Sequence, residues 1–196
     1  MSKLVVVPAR NDAIPPENFI LVELPGTGIQ ALIQALRATY DDNVLVGRFR
    51  AVTPGSSETP KARVDLAEHG TFRTLLSSWA FRTAFPDLGL SAESLSLNPP
   101  TFERSWSGTL TLGGELAHTL AFGGAYARYQ GSAAEAKTLG EAAVADIAGN
   151  RHEDFEVWEA RGAWAPWFYD VAWDMSWFVA DGANREIVAL FVTDTD

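Results

Sequence analysis

FEVWEARGAWAPWFYDVAWDMSWFVADGANREIVALFVTDTD, residues Phe155–Asp196, is the stretch whose reading decides the fold. Within Val171–Ala180 the side chains alternate. Val171, Trp173, Met175, Trp177 and Val179 fall on one face, and Ala172, Asp174, Ser176, Phe178 and Ala180 on the other. Period two is the mark of a strand, because successive side chains leave opposite sides of the pleat. Ile187–Val192 is continuously apolar, as expected of a strand covered on both faces. Asp181-Gly182-Ala183-Asn184 between them is rich in turn formers, which predicts a β-hairpin. Five of the seven tryptophans lie in this stretch. Trp173 and Trp177 read as a core stripe. Trp158, Trp164 and Trp167 are irregular, and the segment Arg161–Trp167, broken by Gly162 and Pro166, reads as an aromatic loop that either binds something or roofs the core.

Working outward, Asn18–Glu23 and Val44–Val52 read as strands, and Thr27 as the cap of an amphipathic helix carrying Ile29, Leu32, Ile33, Leu36 and Tyr40. Thr71 opens a second helix with Phe72, Leu75, Leu76 and Trp79 on one stripe. Thr53–Lys61 is the most loop-like segment, and Asn98-Pro99-Pro100 ends a connector. Arg104–Leu112 alternates, Gly113-Gly114 signals a two-residue turn, and Glu115–Phe122 reads as the returning strand with His118 on its apolar face. Ser132 and Glu135 fit a capping box for a third helix, which Gly149 stops. The expectation is a single α+β domain over residues 1–196. It has a mostly antiparallel sheet of about six or seven strands and about three helices packed chiefly on one face.

Composition narrows the function classes. There are no cysteines, hence no disulfide or thiolate chemistry, and the short apolar run Leu4–Val7 is no signal segment. No stretch is long enough to cross a bilayer, so a soluble cytoplasmic protein is expected. The net charge is −10, and residues 134–196, with 13 acidic against 4 basic side chains, carry nearly all of it. That argues against a nucleic-acid partner and for a basic one.

Motifs are sparse. Leu24-Pro25-Gly26-Thr27-Gly28 spells a sortase signal at the wrong end of the chain, and the Gly26/Gly28 and Gly123/Gly124 pairs lack the spacing of phosphate loops. There is no Gly-x-Ser-x-Gly elbow, and His69, His118 and His152 are not spaced as a metal pair. Two readings follow, with binding placed first. In it, the acidic, tryptophan-rich C-terminal third engages a basic protein without catalysis, as inhibitor or immunity proteins do, using Trp158, Trp164, Trp167, Glu159 and Asp170. In the alternative, a hydrolase uses His152, Asp170 and Asp174 as acid/base groups, with Glu153 and Asp174 as metal ligands. No cofactor is expected. A homodimer is open if the terminal hairpin lies at a sheet edge.

Overall fold

The computed structural model describes residues 19–52, 71–97 and 100–194. His69, the loop Thr53–Lys61, Asn98, Pro99 and the last two residues lie outside them, as does everything before Phe19. The architecture is α+β, built on one six-stranded sheet of order β1-β2-β6-β5-β4-β3 with every neighbouring pair antiparallel. The strands are β1 (Phe19–Val22), β2 (Val44–Ala51), β3 (Glu103–Arg104), β4 (Phe155–Arg161), β5 (Met175–Asp181) and β6 (Glu186–Val192). The helices are α1 (Thr27–Thr39), α2 (Thr71–Ser77), α3 (Trp79–Ala84), α4 (Ala92–Leu97), α5 (Thr109–Phe122) and α6 (Ala133–Ala148). No helix among the described residues is long and apolar enough to cross a membrane.

β5 and β6 form the expected hairpin at the centre of the sheet, joined by residues 182–185. The Asp181 carboxylate closes the turn, accepting from the backbone N–H groups of Ala183 and Asn184 at 3.0 and 2.9 Å. β6 is buried throughout, and its side chains divide by parity. Val188, Leu190 and Val192 enter one core with Leu32, Leu116 and Trp177, and Ile187, Ala189 and Phe191 enter a second with Phe49, Leu75 and Phe178. Phe191 is fully buried and meets the rings of Phe81, Phe85, Trp164, Phe168 and Phe178. Truncating such a ring to alanine costs about 3–5 kcal/mol.

The two cores explain the first departure from expectation. Helices cover both faces: α1, α5 and α6 line one core, and α2, α3 and the loop 162–174 line the other. The second departure is α5. Arg104–Leu112 and Glu115–Phe122 are not a hairpin, because only Glu103–Arg104 is extended and the chain then coils from Thr109 to Phe122. The inner face Thr109, Leu112, Gly113, Leu116, Ala117 and Leu120 has helical spacing. Gly113 and Gly140 serve the crossing of α5 and α6: a Cβ on Gly140 would run into the Gly113 carbonyl. His118, expected inside, is exposed on α5.

Smaller differences have local causes. The helix from Thr71 breaks at Ser78, whose hydroxyl donates to the Leu75 carbonyl and accepts from the Phe81 N–H, so Trp79 turns outward. Thr27 does not cap α1. Gly26 holds that position at φ 122°, and the N–H of Ile29 is taken by Asp146 of α6 at 2.9 Å. The Ser132–Glu135 capping box and the Gly149 stop form as expected. The terminal hairpin pairs on both sides, so it offers no edge for a dimer.

Candidate functional site

β4 divides the candidate residues into two groups. Its first residue pairs with Asp181 and its last, Arg161, with Met175. His152 and Glu153 sit on a 3-10 turn (His152–Asp154) before it, and Asp170 and Asp174 follow it in the loop 162–174. Seven residues at about 3.3 Å each put roughly 20 Å between the two ends. The structure therefore does not bring His152 to Asp170 or Asp174, nor Glu153 to Asp174. Among the described residues no three acidic or histidine side chains converge as a metal-binding set.

Each separated residue has a local role. Asp174 is buried, and its carboxylate accepts from the Thr193 hydroxyl and, at 3.0 Å, from the Val171 N–H, which shapes the loop. Asp170 is exposed, with a left-handed backbone at φ 60°. Trp164 packs on Phe102, Phe168, Phe178 and Phe191, and its indole donates to Ser176 at 2.7 Å. Trp158 stands edge-on to Phe72, and Trp167 edge-on to Phe168. Of the two uses open to the aromatic loop, roofing the second core describes its contacts. It leaves an open groove of about 710 Å³ that Trp164, Asp170 and Arg161 share.

Glu159 lies directly opposite Glu103 across β3–β4. Burial pushes its carboxyl above the usual range, and the charges of Glu115 and Glu103 push the same way against a partial offset from Arg161. Glu115, on α5, accepts from the Trp177 indole at 3.3 Å. Carboxylates thus gather where α5 meets the β3–β4 edge.

A second gathering, at the start of α5, was hidden in the sequence. After β3 the chain turns at Gly108, whose φ is 53°, and α5 begins. The turn Ser105–Gly108 faces the 3-10 turn of His152 and Glu153 across a cleft of about 650 Å³. The His152 ring Nδ1 and the Thr109 hydroxyl are 3.0 Å apart, which ties the two walls together. Glu156 pairs with Arg104 at 2.8 Å on the floor. Trp106 projects fully exposed at the rim, with Leu110 74% exposed beside it. The alternation over Arg104–Leu112 puts Trp106 on one face of an expected strand, together with Leu110 and Leu112. The helical spacing of Leu112, Leu116 and Leu120, which leaves Leu110 outside, was the signal that pointed elsewhere.

Chemically, an exposed indole beside carboxylates suits a guanidinium or ammonium group. The ring face attracts a cation while the carboxylates neutralise it. The His152–Thr109 contact, by contrast, involves a hydroxyl that is almost wholly buried, out of reach of a substrate. Compared with known proteins, the chain matches no protein-family model, and no curated protein matches it significantly.

Proposed function

We propose that this is a non-enzymatic binding protein that captures a basic protein partner at the Trp106 cleft. The observation that carries the reading is Trp106 itself, a large aromatic ring left fully in water at the mouth of a cleft lined by the exposed Glu153 and by Glu156, which Arg104 pairs. Rigid aromatics in such positions are the usual anchors of interfaces, and acidic surroundings speed the encounter with a basic surface. His152, Glu153, Phe155 and Glu156 of the cleft lining belong to the acidic C-terminal third, so the charge excess supports the same partner chemistry. The groove under Trp164 is a poorer candidate, since that ring is already packed and bonded.

Capture from the source lysate, at low and then high salt, tests the reading when run in parallel with Trp106→Ala and Glu153→Lys. The wild type is expected to hold a basic protein that high salt releases. Trp106→Ala should weaken that capture by roughly thirtyfold, as for an anchor worth about 2 kcal/mol. Its melting temperature should be unchanged, because the ring is fully exposed. Equal retention by the wild type and both variants would sink the proposal.

A further inference from the structure

Given the basic-partner reading, on which this rests, we infer that Arg104 is a built-in occupant of the Trp106 cleft. A partner's arginine must displace it from Glu156, so Arg104 restrains how tightly the cleft holds a basic protein. β3 places Arg104 opposite Trp158, and from there its guanidinium reaches diagonally along β4 to Glu156 at 2.8 Å. A guanidinium on a carboxylate, in a cleft rimmed by an open indole, is the arrangement expected of a captured arginine. Here the chain itself supplies the arginine. The other oxygen of Glu156 accepts from the Trp158 indole at 3.4 Å, which keeps the carboxylate in place when Arg104 leaves it.

The charges of the lining show the consequence. Glu153 and Glu156 are negative and Arg104 is positive, so the lining has a formal charge of −1 with histidine counted neutral, and −2 once Arg104 is removed. A partner's cation meets Glu153 freely, because that side chain is exposed and makes no ion pair among the described residues. It reaches Glu156 only by exchange. Exchange requires a loosely held group, and the two arginines beside the cleft differ in this. Arg151 bonds the buried Asp181 at 2.6 Å, reaches Asp154 at 3.4 Å, and lies over the Phe155 ring at 5.1 Å. That guanidinium is fixed, and it closes the Phe155 face. Arg104 has 57% of its side chain in water, and Glu156 is its one charged partner among the described residues. An ion pair so exposed is weak and breaks readily. The strand that carries it is weakly held too, since β3 has two residues and Glu103 faces the like charge of Glu159 directly. Trp106 is thus the open ring and Glu153 the open carboxylate. Glu156 becomes a further contact when Arg104 swings into solvent.

Fluorescence anisotropy of a labelled oligoarginine peptide of about ten residues, titrated with the full chain at about 0.1 M salt, reads the site. Arg104→Gln should bind the peptide about fivefold more tightly than the wild type, the gain expected when an exposed ion pair no longer has to be broken. Arg82→Gln is the control for net charge. It removes the same charge from the exposed side of α3, which packs on β1 at the opposite edge of the sheet. Its affinity should lie within about twofold of the wild type. Damage to the fold cannot mimic the result, because loss of structure at β3 would weaken binding and Arg104→Gln is expected to tighten it. Trp106→Ala separates the two levels of the reading. If it weakens binding but Arg104→Gln binds no tighter than Arg82→Gln, the inference about Arg104 is overturned and the Trp106 site stands. If the wild type does not bind the peptide, or Trp106→Ala binds it equally well, both are overturned.

Discussion

A methyl group on Gly140 would overlap the carbonyl oxygen of Gly113, whereas one on Gly114, a single residue further along α5, would meet nothing. The two glycines have opposite consequences for stability. Gly140→Ala gains helix propensity but forces α5 and α6 apart, and overpacking of this kind costs about 1–3 kcal/mol. Gly114→Ala keeps the propensity gain of up to about 1 kcal/mol with no clash. Urea unfolding of both variants checks the pair: the midpoint should fall for Gly140→Ala and hold or rise for Gly114→Ala. Glu159 makes a second residue-scale case. Its folded-state carboxyl is raised by burial and by Glu115 and Glu103, so the folded protein holds that proton more tightly than the unfolded chain. Such a group destabilises the fold at neutral pH, and the penalty fades as pH falls through the raised value toward the ordinary 4.5. Glu159→Gln is expected to melt higher than the wild type at pH 7, with the gap closing below about pH 4.5. A gap that widens on acidification would contradict the assignment.

Elements differed in how openly the sequence declared them. The β5–β6 hairpin was legible because strand alternation, a doubly apolar run and a polar turn agree, and α6 because Ser132, Glu135 and Gly149 mark both its ends. α5 was not. Its Leu-x-Leu opening over Leu110–Leu112 satisfies a two-residue period for a few positions, and Gly113-Gly114 mimics a turn. Only the partner helix reveals that Gly113 is there for close approach. That misreading also hid the site, since it ran a strand through Trp106, which instead stands in the turn Ser105–Gly108 that leads into α5. The cap of α1 was illegible for another reason: its acceptor comes from α6, 117 positions away, in place of the adjacent Thr27. Asp146→Ala should therefore cost about 1 kcal/mol, as losing a good N-cap does. Thr27→Ala should cost only a few tenths, because its side chain makes no cap. Chemical denaturation of the two variants compares them, and a larger loss at Thr27 would reverse the argument.

Across the whole molecule the acidic excess of the C-terminal third is partly internal. Asp174, Asp181, Glu186 and Asp194 are buried, with Glu186 paired to Arg48 and Arg50 and Asp181 to Arg151. The sequence revealed the charge count but not this division, which depends on the sheet bringing distant strands and turns together. The exposed carboxylates that remain are spread over Glu135, Glu141 and Asp146 on α6, Glu153 at the Trp106 cleft and Asp170 in the loop 162–174. Asp181 joins three parts of the fold: it ends β5, closes the hairpin turn, and holds Arg151 at the entry to β4. Burial raises its carboxyl, but the bonds from Arg151 and Asn184 outweigh that and keep it below the ordinary 3.8. A depressed carboxyl contributes stability that is full above the unfolded value and disappears as pH falls through the folded one. Asp181→Asn should thus lower the unfolding free energy at pH 7 by about 2 kcal/mol, the scale of a buried charge-assisted hydrogen bond. The deficit should shrink only below about pH 3.8, as the wild-type group itself takes up a proton. Parallel urea titrations from pH 7 down to about pH 2.5 measure that difference. A deficit that is constant across the range would mean that Asp181 acts through shape and that its charge contributes nothing.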